Sequence, residues 1–336
     1  MKNNLFPAFI LAMSVFFISC RTDKPDPLPQ GPTCSVRLKI DRERMLNESD
    51  EPLAMVKGTP HDLYAVQVYR KSSLGGKDGK YAYGIFDNEN DMNLELETGN
   101  TYKIEMTMVP DGASLIAKGE NGGYQEPFVI GGAGGAPGKT TNRFISSTVQ
   151  YIEKLNSGYA VINQEDDEPT GYNRPPISRF YGVADNFTPT GDTELAIDLK
   201  WVCFGLTVVP QDFTEGRIEI EMRGAPLLTV TPDAPDAVTK KIFTFEHSLN
   251  SDDWTADDYS EDIPIAITWF KSDGTRIVFR DIATPTSIKR KVNKIFSIPC
   301  GNDGPAGNIA INKEDEILVD DEEIIARPQK NVIFAR

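Results

Sequence analysis

Histidine is nearly absent from this chain: His61 and His247 are the only two in 336 residues. They stand far apart in the sequence, and neither sits in a cluster of His or Cys. A Ser–His–Asp relay or a histidine-rich metal site therefore has no support in the sequence. Cysteine is also scarce. Cys20, Cys34, Cys203 and Cys300 form no CxxC pair and no disulfide framework. Positive charge is in deficit, with 35 Lys and Arg against 50 Asp and Glu and a formal charge of −15. Nucleic acid needs a basic face, so it is an unsuitable partner. Broad adhesion to anionic lipid is disfavoured for the same reason. After the first twenty residues no uninterrupted apolar run reaches eighteen, so no later segment is a candidate membrane span. Acid pairs are common, as fifty carboxylates make inevitable, and none stands out as a catalytic pair. Asp252-Asp253 and Asp257-Asp258 lack the alternating spacing of a calcium loop. These deficits lead us to expect no enzyme activity, no cofactor and no metal site.

What is present begins at the N-terminus. MKNNLFPAFILAMSVFFISC has a basic start at Lys2, an apolar run from Leu5 to Ile18, and Ser19-Cys20 at its end. That is the layout of a secretory signal peptide, and the run is too short for a comfortable span of about 20 residues. Phe17-Ile18-Ser19-Cys20 resembles a bacterial lipobox, with Phe17 where Leu is usual. Residues 1–19 are then the signal peptide and Cys20 the lipidation site. The polar, proline-rich stretch RTDKPDPLPQGP behind it reads as a tether over residues 20–33. Acyl chains on Cys20 would hold the chain on a membrane without a spanning helix. The expected location is the outer membrane or cell surface, reached through the periplasm.

The dominant period is two. Val36, Leu38 and Ile40 alternate with Arg37 and Lys39. The pattern recurs at Tyr64–Val68, Met92–Leu96, Tyr102–Met108, Leu195–Trp201, Ile218–Met222, Ile263–Trp269 and Arg276–Arg280. Strict alternation places one face in a core and one in water. Gly75-Gly76, Asp111-Gly112 and Asp273-Gly274 supply the turns between strands. The sequence thus predicts an all-β protein of antiparallel β-sandwich type. One short helix is expected over Asn142–Leu155, and a turn or two over Asp252–Tyr259. The polar stretch 163–179, with three prolines and the acids Glu165-Asp166-Asp167-Glu168, reads as a linker. It separates an N-terminal domain, 34–162, from a C-terminal domain, 180–312. Residues 313–336 form an acidic segment with strand-like pieces. That segment is either a donor strand for a partner or an edge strand of its own domain.

Ala133-Gly-Gly-Ala-Pro-Gly138-Lys139-Thr140 imitates a P-loop. A P-loop needs a parallel α/β core to aim a helix at the phosphates. No other segment supports one, so these glycines read as a surface loop.

Several stretches resemble the fimbrillin superfamily of lipoprotein-derived pilus shaft, tip and anchor proteins of gut and oral anaerobes. They are Asp62–Arg70, Gly99–Ile104, Arg179–Gly182, Trp201–Gly205 and Asp273–Arg290. The resemblance implies two transthyretin-like sandwiches in series. It also implies assembly by strand exchange, in which a protease removes the first strand after an arginine and a neighbour's strand fills the groove. Arg42 and Arg44, just beyond the strand Cys34–Ile40, match that position. The expected role is pilus assembly, anchoring or adhesion. The partners would be other pilus subunits or the chain itself, with a host or glycan ligand as a further partner. A surface glycan-binding lipoprotein of a polysaccharide-uptake system is the alternative, with Trp254, Tyr259, Tyr172 and Tyr181 as sugar-stacking rings. An exported hydrolase is the third reading, and no nucleophile–base pair supports it.

Overall fold

A computed structural model of the chain describes residues 31–42, 61–72, 77–132, 135–164, 168–233, 241–247, 254–301 and 320–325. The first strands are β1 (Thr33–Arg42), β2 (Leu63–Arg70), β3 (Gly79–Phe86), β4 (Asn93–Glu97) and β5 (Tyr102–Val109). The four-residue helix α1 (Gly112–Leu115) follows. Then come β6 (Tyr124–Gly131), β7 (Ala136–Gly138), β8 (Ile145–Ser146), β9 (Tyr151–Ile152), β10 (Ala160–Ile162) and β11 (Thr170–Tyr172). The chain continues through β12 (Phe180–Phe187), β13 (Thr193–Trp201), β14 (Cys203–Gln211), β15 (Arg217–Met222), β16 (Leu228–Val230) and β17 (Lys241–Thr244). It ends with β18 (Ser260–Phe270), β19 (Arg276–Arg280), β20 (Pro285–Lys289), β21 (Val292–Pro299) and β22 (Asp320–Ile325). The protein is all-β, as its period-two pattern predicts.

The largest sheet runs β4-β1-β13-β12-β5-β2-β3-β8. It folds over on itself. Tyr81 of β3 donates to the Glu95 carbonyl of β4 at 3.3 Å, and Arg70 of β2 meets Glu97 of β4 at 3.2 Å. The space between holds Val36, Leu38, Leu94, Leu96, Tyr102, Ile104 and Met106, all buried. Each such side chain contributes about 1.5–3 kcal/mol by leaving water. The other side of β2 is covered too. Leu63 and Ala65 pack with Phe128 and Ile152, so alternation there does not mean a wet face. Gln67 is completely buried and donates to the carbonyls of Val68 and Ala82, both at 3.1 Å, while its Oε1 accepts from Ile152 N at 2.8 Å.

The second half contains a four-stranded sheet, β17-β14-β21-β22, and a five-stranded one, β16-β15-β18-β19 with β20 on β18. Phe204, Phe243, Phe296 and Ile298 from the first share a core with Ile218, Ile220, Ile265 and Trp269 from the second. Most neighbours run antiparallel. Among the described residues three pairs are parallel: β1 with β13, β14 with β21, and β21 with β22.

Three expectations need correcting. The segment 142–155 is not a helix but turns with the short strands β8 and β9. Its β-branched Ile145 and Ile152 lose side-chain freedom in a helix and pair here with Tyr83 and Ile130. The segment from Trp254 to Tyr259 is turns alone. The linker expected at 163–179 does not divide the sheets, because β12 and β13, which follow it, are inner strands of the first sheet. The pairing changes at Val202, between β13 and β14. Within that segment Arg174, Pro175, Ile177 and Arg179 are buried, while residues 165–167 lie outside the described ones. Residues 1–30 also lie outside them, and with them the signal peptide, Cys20 and most of the tether.

Within the P-loop look-alike, Ala136–Gly138 is the strand β7, which pairs antiparallel with β6 at Val129↔Pro137 and Ile130↔Ala136, while residues 133–134 lie outside the described ones. Gly138 is needed there for packing, since a Cβ would stand 2.2 Å from Ile85 Cδ1 and 2.4 Å from the Phe128 carbonyl. Of the acidic segment, residues 320–325 pair parallel with β21 from Val292↔Asp320 to Ser297↔Ile325. That corresponds to the own-edge alternative.

Candidate functional site: the seat of the first strand

β1 forms because Cys34, Val36 and Leu38 are buried while Ser35, Arg37, Lys39 and Asp41 face water. Ile40 is half-buried. The strand lies inside the sheet. On one side it pairs parallel with β13, from Val36↔Thr193 to Arg42↔Leu199. On the other it pairs antiparallel with β4, from Thr33↔Glu97 to Arg37↔Asn93. Leu38 N donates to the Met92 carbonyl at 3.0 Å and extends that seam. Ser35 N donates to Asp192 Oδ1 at 2.8 Å, and Thr98 N to the Pro32 carbonyl at 2.9 Å. The Cys34 thiol donates to the Leu96 carbonyl at 3.5 Å. β1 is the only strand neighbour of β4 among the described residues. Taking β1 away would open a slot between β4 and β13 and leave β4 without a strand partner.

The outer rim of this seat is acidic. Glu95, Asp192, Glu194 and Asp198 are exposed around β1. Lys39 Nζ meets Glu194 Oε2 at 2.5 Å, and Arg37 stands opposite Glu194 in the register. The hydrogen bond from Lys39, aided by the charges of Lys39 and Arg37, holds the Glu194 carboxyl below the usual carboxylate range. Asp198 is paired with Lys200 at 2.9 Å.

Of the residues singled out in the sequence, Arg42 is the last residue of β1, opposite Leu199. The strand therefore runs two residues beyond Ile40 and includes it. Arg44 and Cys20 lie outside the described residues. Cys34, Cys203 and Cys300 are free and buried. Burial pushes the Cys203 and Cys300 thiols up to about 12, which leaves little thiolate at neutral pH.

Sequence reasoning missed three buried arginines. Arg179 donates to Thr107 Oγ1 at 2.9 Å and to the carbonyls of Leu155 at 2.9 Å, Lys154 at 3.2 Å and Ser157. Burial draws its guanidinium down to about 9, which still leaves it charged at neutral pH. Arg174 meets Glu246 at 2.7 Å and Glu261 at 2.6 Å. Arg290 donates to the Trp201 carbonyl at 3.1 Å and to Asp257 at 2.5 Å. The available signal was position: each arginine stands within three residues of buried apolar neighbours such as Ile177, Phe180, Ile288 and Val292.

A cavity of about 620 Å³ lies beside β12, lined by Lys103, Glu105, Tyr181, Lys200, His247 and Trp254 among others. It offers no free ring. Trp254 is enclosed by Tyr181 at 5.5 Å, His247 at 5.0 Å and the Arg179 guanidinium at 5.9 Å. Tyr259 is buried and donates to Glu261 Oε1 at 2.5 Å. Tyr172 is half-buried, and its hydroxyl accepts from Gln164 at 2.5 Å. The four aromatics expected to stack on sugars are thus engaged in packing and local hydrogen bonds. His61 lends its carbonyl to Ala113 N at 2.8 Å. Among the described residues no group of three or more His, Cys, Asp or Glu is placed to hold a metal ion. No helix among them is long and apolar enough to cross a membrane.

No family model matches the chain, and no curated protein matches it either. Several solved structures are similar at low identity. A candidate cell adhesion protein from Bacteroides eggerthii is 13% identical at a TM-score of 0.35, covering 77% of this chain and 83% of that one. A candidate adhesin from Bacteroides thetaiotaomicron is 12% identical at a TM-score of 0.32, covering 78% and 82%. Candidate polysaccharide-binding proteins from the same organism are 12% identical at 0.32, covering 73% and 78%.

Proposed function

We propose that this chain is a lipid-anchored, surface-exposed structural or adhesion subunit of fimbrillin type that joins its neighbours by strand exchange at the seat of β1. The observation that carries the reading is the position of β1. It is an inner strand of the sheet, yet it is the first strand among the described residues and its partners lie far along the sequence. A cut after Arg42 or Arg44 would leave it held by non-covalent contacts alone. A neighbour's strand could then take its place, with main-chain bonds supplying affinity and alternate side chains fixing the register. In this reading the chain is not an enzyme. Cys20 carries the lipid, residues 1–19 are removed, and residues 20–33 tether the folded part to the outer membrane.

Two measurements test this. Treating the full chain with an arginine-specific protease should give a new N-terminus after Arg42 or Arg44 and a product that takes up a synthetic strand or a partner subunit. A cut product that accepts neither would sink the exchange reading. Separately, Cys20→Ala should abolish acylation and release the protein from the membrane fraction. Fatty-acid labelling that persists in this variant would reject Cys20 as the lipid site.

A further inference from the structure

We infer that the seat of β1 selects an incoming strand that alternates apolar with basic residues, supplied by another subunit, and rejects the acidic stretch 314–323 of this same chain. The inference rests on the strand-exchange reading and names the partner that reading leaves open.

Charge carries the argument. The neighbours of β1 put Glu95 opposite Ser35, Glu194 opposite Arg37 and Asp198 opposite Asp41, with Asp192 bonded to Ser35 N. Lys200 is the basic residue of β13 and β4, and it is taken by Asp198. In the intact chain Lys39 and Arg37 answer this rim, Lys39 directly at Glu194. Opposite charges across neighbouring strands attract, and like charges placed opposite each other repel. An incoming strand must therefore repeat the β1 pattern, with apolar residues where Val36 and Leu38 stand and Lys or Arg where Arg37 and Lys39 stand.

The acidic residues 320–323 break that pattern in either register. Asp320 and Glu322 share one parity, and Asp321 and Glu323 the other. Either way of seating them sets two carboxylates where β1 buries apolar side chains and sets the other two against the acidic rim. Their own place is different. β22 lies along β21, with Glu322 opposite Lys294 in the register. β1 thus answers an acidic rim while β22 sets Glu322 opposite Lys294, and this difference keeps the two strands from changing places. Selection by repulsion as well as attraction is how a strand partner is specified.

The test uses the full chain cut once, between residues 43 and 60, at an introduced protease site, so that β1 stays seated until it is competed off. Three labelled peptides are titrated by fluorescence anisotropy at low salt. One has the sequence of residues 33–42, one is the same peptide with Arg37→Glu and Lys39→Glu, and one has the sequence of residues 314–323. The charge-swapped peptide is expected to bind about tenfold more weakly than the first, and the C-terminal peptide more weakly still. The gap should close near 1 M salt, where screening acts over about 3 Å. Glu95→Lys with Glu194→Lys, both exposed positions, should invert the order of the first two peptides. Equal binding of the first two peptides at low salt, or tight binding of the C-terminal one, overturns the charge rule and leaves strand exchange standing. If none of the three binds, strand exchange at this seat fails and the charge rule falls with it.

Discussion

The two strands nearest the ends of the described fold, β1 and β22, look alike on paper and differ in what they hold. Each runs parallel to a long strand: β1 along β13, and β22 along β21. β1 has strand neighbours on both sides, whereas β22 has one among the described residues. β1 also fills a core with Val36 and Leu38. A strand flanked twice is a plug, and its loss opens the sheet. A strand flanked once is a fringe, and its loss only moves the edge inward by one strand. The position of a strand in the sheet, rather than its length or direction, decides which part of a chain can be exchanged at consequence.

Four measurements would break or sharpen this contrast. The largest effect should lie in the frame behind both strands. Arg179→Ala strands the carbonyls of Lys154, Leu155 and Ser157, and should cost about 3–5 kcal/mol in a urea melt. Next comes the plug. Leu38→Ala should cost about 2–4 kcal/mol, with loss of β1 as the visible consequence. If it costs less than about 1 kcal/mol, β1 is not the plug it is argued to be. Truncation after Asn312, which removes β22, should then cost no more than about 2 kcal/mol. The hydrogen bonds of a short edge strand roughly offset the entropy of ordering it. A truncated protein that melts below the Leu38→Ala variant would reverse the ranking of the two strands. The smallest effect belongs to the outer face of β1. Lys39→Ala breaks an exposed ion pair and should move the urea midpoint least of the four. The Glu194 carboxyl is held below its ordinary range, so the pair contributes at neutral pH. Its contribution should fade as the pH falls through the Glu194 pKa, and Lys39→Ala should flatten the acid limb of a stability–pH curve.

Alternation made much of the fold legible. β1, β4, β5, β13, β15 and β18 stand where Val36–Ile40, Met92–Leu96, Tyr102–Met108, Leu195–Trp201, Ile218–Met222 and Ile263–Trp269 indicate. Pairing across long distances was not legible, because no turn marks it. The parallel partnership of β1 with β13 leaves no local trace, so residues 180–201 read as the start of a second domain. Burial of polar residues was equally hidden. Gln67 reads as the wet face of a strand, and Arg174 and Arg179 read as loop charges, until their partners are placed around them. The 142–155 segment failed for a different reason. Its apolar residues fit a helical stripe by spacing, while their branched side chains favoured the extended form. For the candidate site, the strand and its two faces could be read directly, but the acidic rim could not, since it is assembled from β4, β13 and the residue before β13.

The parallel seam between β1 and β13 also sets an order of events during folding. Ser35 and its partner Asp192 are 157 residues apart, while Cys34 and Leu96 are 62 apart. As the chain emerges from its N-terminus, β1 can find β4 early, but its second wall does not exist until β13 has emerged. The seat of the first strand is therefore closed late, and contacts of such long range are slow to form. Through that interval the alternating apolar face of β1 is only half covered, and so is the slot that any competing strand would have to enter.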